Sequence, residues 1–419
     1  MTAADTAWLI LADDLTGAAD TAIAFARRGL ETVVTWGDGD VGDAPVVSVD
    51  ADSRRLSAAD AAARQTAVLA ARGRPGQHLY KKIDSTLRGQ PAAETAALLA
   101  ALRRNGRPTI AFVAPAFPAM GRTTETGRVL VAGQRLEETP LWARDHTYES
   151  GYLPAVLKAA GLKSGVVPLD QLLRGDGMVR GVITAAIAEG CDAVVCDAAT
   201  EEDLALAARA ALPLADRLLF VGTGGLAAAL ARQVAPADPP PPAVPAVQGP
   251  VLVLVGSVAE ASRAATETLS ASGRVTPVLV PEAVLRNAAG AVTAGHELTA
   301  RIGAALGEGD VLVVTEFGPD SDLRQGGDVA KRLADLVAPA TAHLGGIVAT
   351  GGDTVCALLA RIGVTGIRLL DEVEPGVPLG VTVGSVALPI ATKAGGFGTD
   401  ATLLHCLERL RSGAASQRD

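Results

Sequence analysis

The chain has 419 residues, 49% hydrophobic but only 3% aromatic, and 37 Lys plus Arg against 46 Asp plus Glu give a formal net charge of −9. That length calls for two or three domains, with cores built from Ala, Val and Leu. The acidic balance and scarce aromatics argue against a nucleic-acid partner or an anionic membrane surface, no apolar run approaches the roughly 20 residues of a membrane span, and no secretory signal is visible, so a cytoplasmic protein is expected.

From the N-terminus, strand-like and helix-like segments alternate. Ala7–Leu11 reads as a strand, Gly17–Arg28 as a helix, Glu31–Trp36 and Val46–Val49 as strands, and Ser57–Arg72 as a helix capped by Ser57. His78–Lys82 is a strand, Ala92–Arg104 a helix opened by Pro91, and Thr109–Ala114 a strand. Arg128–Leu136 alternates about Ala132-Gly133 and predicts a hairpin. Gly165–Pro168, Met178–Glu189, Ala193–Asp197, Glu201–Leu212 and Leu218–Val221 then resume the rhythm. Strands separated by helices imply right-handed crossovers and a mostly parallel sheet.

Ala235–Pro250 breaks the pattern with four consecutive prolines, Pro239–Pro242, which favour polyproline II and mark a semi-rigid spacer. Beyond it, Val251–Val255, Val275–Val280, Val311–Thr315, Gly346–Ala349, Gly366–Glu372 and Val381–Leu388 read as strands. Helices are expected from about Ala259, near Gly295–Leu306, over Asp328–Ala342, and from Gly398 through Arg411. The fold class is therefore α/β in two domains, residues 1–235 and 251–419, each a mostly parallel sheet flanked by helices and joined by a Pro-rich linker at 236–250.

Chemistry concentrates at strand ends. In "LADDLTGAAD", Leu11–Asp20, two adjacent carboxylates, Asp13 and Asp14, stand between a strand and a helix. One of them serves as a helix cap on the plain reading, and two exceed what one cap needs. "KKIDSTLRGQ", Lys81–Gln90, follows another strand in a chain with only six lysines. Lys82, Asp84, Ser85 and Arg88 there, with Arg54 or Arg55 from "DSRR", suit a small carboxylate with neighbouring hydroxyls. A solvated turn with ordinary salt bridges is the plain alternative.

In the second domain "VGS" (Val255–Ser257), "TGGDT" (Thr350–Thr354) and "KAGGFG" (Lys393–Gly398) are three glycine turns after apolar segments. Glycine lets backbone approach a ligand, and free N–H groups at a helix start bind phosphate oxygens. Asp353 and Thr354 could hold a metal ion or a ribose hydroxyl, and Lys393 is read as a flexible point charge reaching a phosphate. No Walker A sequence occurs. Gly222, Gly224 and Ala227 match GxGxxA, the mark of an NAD-dependent dehydrogenase, but the acid expected some 20 residues on falls at Asp238, in the proline segment; these glycines are read as a packing turn. Four cysteines without CxxC spacing and five scattered histidines leave metal ligands unassigned. An anion-and-hydroxyl site in one domain and a phosphate site in the other is the layout of a phosphotransferase whose active site lies in an interdomain cleft. A non-catalytic sensor that binds the same small acid without turning over a nucleotide is the rival of a different class.

The ordered motifs "LADDLTGAAD", "KKIDSTLRG", "GRTTETGRVLVAGQRLEET", "TGGDT", "EVEPGVPLG" and "TKAGGFG" resemble the four-carbon acid sugar kinases, which include D-threonate, D-erythronate and 3-oxo-tetronate kinases. The resemblance spans nearly the whole chain. It implies an N-terminal domain that binds the sugar acid, a C-terminal domain that binds ATP, and transfer of the γ-phosphate to the terminal C4 hydroxyl. It places the acid near Asp13, Asp14, Arg54, Lys82, Asp84, Ser85 and Arg88, and ATP near Ser257, Gly351, Gly352, Asp353, Thr354 and Gly395. Asp14 or Asp84 would take or orient the hydroxyl proton, and Mg²⁺ would bridge ATP oxygens. Ala394 stands where many members carry serine or proline, and "PLWARDHTYESGYL" lacks the usual Asp-Pro pattern. "KKIDSTLRG" is closer to the threonate and erythronate members. Partners are thus a sugar acid and ATP, with a homo-oligomer left open.

Overall fold

The computed structural model describes residues 7–37, 39, 41–107, 109–142, 146–234, 244–257, 259–286, 291–316 and 326–413. The chain divides into two compact units, residues 1–37 with 43–239 and residues 38–42 with 240–419. The Pro239–Pro242 run and Asp238 lie outside the described residues. No helix among the described residues is long and apolar enough to cross a membrane.

The first unit runs β1 (Trp8–Ala12), α1 (Leu15–Ala26), β2 (Thr32–Trp36), β3 (Val46–Asp50), α2 (Ala58–Arg72), β4 (His78–Lys82), α3 (Pro91–Arg104) and β5 (Ile110–Ala114). A small antiparallel sheet follows, β6 (Arg122–Glu125), β7 (Arg128–Val131) and β8 (Gln134–Arg135). Then come α4 (Leu153–Ala159), β9 (Ser164–Val167), α5 (Leu169–Leu172), α6 (Asp176–Ala188), β10 (Ala193–Cys196), α7 (Glu201–Ala211), β11 (Leu218–Gly222) and α8 (Gly224–Val234). The main sheet has the order β2-β3-β1-β4-β11-β5-β10-β9 with every pair parallel. The expected hairpin is β7–β8; the structure adds β6 to it.

All five residues of β1 are buried, as a central strand covered by helices requires. At its amino end the Trp8 ring packs on Phe25, His78 and Phe220 with centroids 5.2, 4.9 and 5.6 Å away. That apolar anchor sits at one end of the strand and leaves the other end for polar groups. At the carboxyl end Asp14 caps α1, accepting the Gly17 N–H at 2.9 Å. Ser57 caps α2 and Pro91 opens α3, as the sequence predicts.

The second unit runs β12 (Val251–Val255), α9 (Glu260–Ala271), β13 (Thr276–Pro281), α10 (Glu282–Leu285), α11 (Ala291–Glu308), β14 (Val311–Glu316), α12 (Gly326–Val337), β15 (Gly346–Thr350), α13 (Gly352–Arg361), β16 (Val364–Glu372), β17 (Pro378–Gly384), β18 (Pro389–Lys393) and α14 (Thr402–Ser412). Its sheet order is β13-β14-β12-β15-β18-β17-β16. The first five strands are parallel, and β18-β17-β16 pair antiparallel. The strand expected over Val381–Leu388 ends at Gly384 instead, where φ is +130°, and a turn tied by Thr382 leads into β18.

Candidate active site

In the first unit Asp13 and Asp14 follow β1, Asp50 closes β3 with Arg54 just beyond, and Lys82 closes β4 with Asp84–Arg88 behind it. These three strands are adjacent and parallel, with Ala12 level with Asp50 and Leu11 level with Lys81, so their carboxyl ends share one edge. From β1 the chain moves to β2 on one side, and after β3 it crosses to β4 on the other. Ligands of open α/β sheets bind at such a switch point.

Arg54 organises the carboxylates. Its Nε donates to Asp13 Oδ2 at 2.8 Å and its Nη2 to Asp13 Oδ1 at 2.9 Å. Nη1 and Nη2 reach Asp14 Oδ2 and Oδ1 at 2.5 and 2.9 Å. Nη2 also lies 3.7 Å from Asp84 Oδ1. Burial disfavours the Asp13 charge, but Arg54, Lys81 and Lys82 together hold its carboxyl below the ordinary range. Asp84 accepts Arg88 Nη2 at 2.8 Å, Arg88 Nε at 3.1 Å and the Thr86 hydroxyl at 2.5 Å. Although burial opposes it, Arg54, Arg88 and Lys82 hold the Asp84 carboxyl well below the carboxylate range. Asp14 is the most open of the three, its side chain 22% exposed against 3% for Asp13 and 9% for Asp84.

Lys82 is buried, and its Nζ lies 2.7 Å from where a Cβ on Gly17 would stand. It acts on Asp13 and Asp84 through charge. Among the described residues no acceptor is within hydrogen-bonding reach of that ammonium, so it is available to an anion. Ser85 is half-buried in the same loop. The loop is wound tightly, with Leu87 buried at φ +61°, and a Cβ on Gly89 would stand 3.1 Å from Asp13 Oδ2. Asp52 in the neighbouring loop is also left-handed at φ +47°. Non-glycine residues in that region mark strain the surroundings must hold.

Three features were not singled out from the sequence. Lys81 forms a fully buried ion pair with Glu94 at 2.8 Å. Ser53 Oγ donates to Glu94 at 2.6 Å, and Gln65 donates to Ser53 Oγ and to the Ala12 carbonyl, both at 3.0 Å. This network ties α2 and α3 to the β1 edge. Its signal is legible afterwards: Glu94 sits on the apolar face of α3 with Pro91, Leu98 and Leu102. Asp50, buried and facing the charges of Asp14, Asp52 and Asp13, is pushed up to about 7, chiefly by burial. Arg122 lies close enough to feel the charges of Asp84 and Arg88.

The turn at Gly222–Ala227 is filled from within. A Cβ on Gly224 would stand 2.9 Å from Asp20 Oδ2 and 3.1 Å from the Phe117 ring. A carboxylate at that helix start repels the pyrophosphate a dinucleotide would bring there, which agrees with a packing turn.

In the second unit the three glycine turns follow β12, β15 and β18, which are adjacent and parallel. Gly351, at φ +91°, donates its N–H to the Lys393 carbonyl at 3.1 Å, and the Gly256 N–H reaches the Thr350 carbonyl at 3.3 Å. A side chain on residue 256 would collide with Thr354, and one on residue 395 with Ser257. Ser257, Gly351, Thr354 and Gly395 are thus brought together, and Gly352 and Asp353 start α13, whose N-terminus suits phosphate oxygens. Lys393 differs from the flexible point charge expected, because its ammonium is held by four acceptors. It is 1% exposed. Its Nζ donates to Phe397 O at 2.7 Å, to Ser262 Oγ at 3.2 Å, and to Ala394 O and Gly395 O at 3.3 Å. Burial lowers its basicity, which Cys406 and Glu374 partly restore.

Comparison with known proteins follows the same division. Residues 8–230 match the model of a sugar-binding N-terminal domain and residues 252–403 that of a nucleotide-binding C-terminal domain. The chain is 41% identical to the D-threonate kinase of Cupriavidus necator, covering 97% of this chain and 99% of that one. It is 38% identical to the D-threonate kinase of Bordetella bronchiseptica, over 96% and 97%. It is 31% identical to the 3-oxo-tetronate kinase of Methylobacterium radiotolerans, over 93% and 95%.

Proposed function

The chain belongs to the four-carbon acid sugar kinases, phosphotransferases with an alcohol acceptor, and from that premise we propose that it transfers the γ-phosphate of ATP to the C4 hydroxyl of D-threonate. D-Erythronate and 3-oxo-tetronate are the competing acceptors. The observation that carries the reading is the cluster at the ends of β3, β1 and β4, where Lys82 is the buried cation without a hydrogen-bonded partner among the described residues.

Lys82 and Arg88 would hold the acceptor's carboxylate, and Ser85 one of its hydroxyls. Arg54 is already engaged by Asp13 and Asp14, so it keeps those carboxylates ionised and oriented. Asp14, the most open of them, would orient the C4 hydroxyl and take its proton. Asp84 is the poorer base, because its side chain is less exposed and Arg54, Arg88 and Lys82 hold its carboxyl well below the carboxylate range. Little covalent chemistry is asked of the protein in phosphoryl transfer, so positioning and charge matter most.

The α13 start at Gly351–Thr354, Ser257 and Gly395 would hold the nucleotide phosphates. Among the described residues no three His, Cys, Asp or Glu side chains converge to hold a metal. Mg²⁺ needs only one or two protein ligands beside the phosphates, so Asp353 and Thr354 at the start of α13 are the residues that would hold it, and when bound it would neutralise the phosphate charge. An enzyme of this kind works where ATP is, in the cytoplasm. A coupled ADP-release screen over four-carbon acids tests the substrate: D-threonate should give the highest kcat/KM, and a clear preference for another acid would reassign it.

A further inference from the structure

Ser53 and Arg54 are neighbours in the turn after β3, and their side chains part. Arg54 reaches Asp13 and Asp14, while Ser53 is fully buried. Both backbone N–H groups bond one acceptor, the Asp13 carbonyl, at 3.1 Å each. Two bonds that converge on a single oxygen act as a pivot, about which the Arg54 side chain can swing. The residue before them, Asp52, stands at φ +47°, so the turn is also strained. A strained turn keeps one shape only where its surroundings over-determine it.

The Ser53 hydroxyl supplies a second anchor, away from that pivot. It donates to Glu94 Oε1 at 2.6 Å and accepts from Gln65 Nε2 at 3.0 Å. A hydroxyl that both donates and accepts is fixed in orientation, and the bond to a carboxylate is charge-assisted. Both partners are themselves tied to the end of β1. Lys81 takes the other Glu94 oxygen at 2.8 Å and reaches the Leu11 carbonyl at 3.4 Å, and Gln65 bonds the Ala12 carbonyl at 3.0 Å. The chain of bonds through Ser53 therefore begins and ends on the two residues that precede Asp13 and Asp14.

We propose that Ser53 is a positioning residue for the reaction: its hydroxyl, locked between Glu94 and Gln65, fixes the turn so that the Arg54 guanidinium spans Asp13 and Asp14 at once. Ser53 itself touches no substrate. The proposal rests on the acceptor-site reading of Arg54 and Asp14 and adds how the two are held in register. It gives the buried network a part in the chemistry: the stretch of β1 that presents the carboxylates and the turn that presents their arginine share one set of bonds.

The test is a double-mutant cycle in the full chain: kcat, both KM values and Tm for the parent, Ser53→Ala, Arg54→Lys and the double variant. Arg54→Lys keeps a positive charge and loses the fork. Ser57→Ala is the control, since Ser57 caps α2 at an exposed position outside the network. Ser53→Ala should lower kcat roughly tenfold or more, as misplaced reacting groups do, with the KM for ATP within twofold. Ser57→Ala should lower Tm and leave kcat within twofold. In the Arg54→Lys background the same Ser53→Ala change should alter kcat less than threefold, because the fork it positions is gone; a general loosening multiplies equally in both backgrounds. Ser53→Cys keeps the shape and weakens the hydrogen bonds, so it reads the same loss of kcat if Ser53→Ala folds poorly. A kcat within twofold of the parent in the serine variants, or equal losses in the two backgrounds, overturns the proposal alone. Arg54→Lys with the parent's kcat and acid KM overturns the acceptor-site reading and the proposal with it.

Discussion

Lys81 and Lys82 are neighbours in sequence and point to opposite faces of β4: Lys81 is sealed against Glu94 of α3, while the Lys82 ammonium stands beside Gly17 of α1. Strand alternation forces the split. It gives one lysine a structural partner and leaves the other for a ligand, so their replacements should fail differently.

Lys82→Met should raise the KM for the acid roughly 10- to 100-fold, because a charge-assisted contact to a carboxylate is lost. The KM for ATP should hold within a few-fold. Steady-state kinetics with each substrate varied in turn checks this, and an unchanged acid KM removes Lys82 from the acceptor site.

Glu94→Gln should cost stability rather than selectivity. It leaves the buried Lys81 charge without its ion-pair partner, and breaking a buried pair this way typically costs about 3–5 kcal/mol. Urea denaturation of the variant, beside the Lys81→Met/Glu94→Gln double variant, measures this. The double variant should recover much of the loss; no recovery would mean the pair is not what holds α3 to β4.

Asp14→Asn should lower kcat by about 10²-fold or more while the acid KM moves far less, as expected when an oriented proton acceptor is lost. Single-turnover kinetics with saturating acid and ATP reads the chemical step. An unchanged rate takes Asp14 out of the reaction.

Asp50 gives a pH signature. Its carboxyl is pushed up to about 7 in the folded chain, above the ordinary 3.8. A raised acid favours the folded state only while protonated, so its ionisation progressively destabilises the protein as pH rises from about 4 to about 7. Asp50→Asn keeps an acceptor for the Asp52 N–H and removes that penalty. The Tm of the variant relative to the parent should therefore climb between pH 4.5 and pH 7.5. A difference flat across that range would show that Asp50 ionises as freely as in the unfolded chain.

The layout of the first unit was legible because its signals are local. A buried strand followed by Asp13-Asp14, a Ser57 cap and a proline at the start of α3 each act over a few residues. The second unit was read less fully where pairing is non-local. Nothing in "VTVGSVAL" says that the chain turns at Gly384, since the turn depends on Thr382 bonding across it. The direction of the Lys393 ammonium was likewise hidden. A lysine after an apolar run reads as a surface charge, and only the fold around Ser262 and the 394–397 carbonyls reveals that it is buried. Conversely, the inward placement of Glu94 was written in the helix periodicity of α3 and needed only the strand alternation of β4 to pair it with Lys81, whereas Ser53 in the loop after β3 and Gln65 on α2 join it through the fold.

The position of the phosphate on the product tests the central claim most directly. With D-threonate and ATP supplied to the parent protein, the phosphorus resonance of the product should split by coupling to the methylene protons at C4. Coupling to a methine proton at C2 or C3, or no phosphorylated acid at all, would contradict the account.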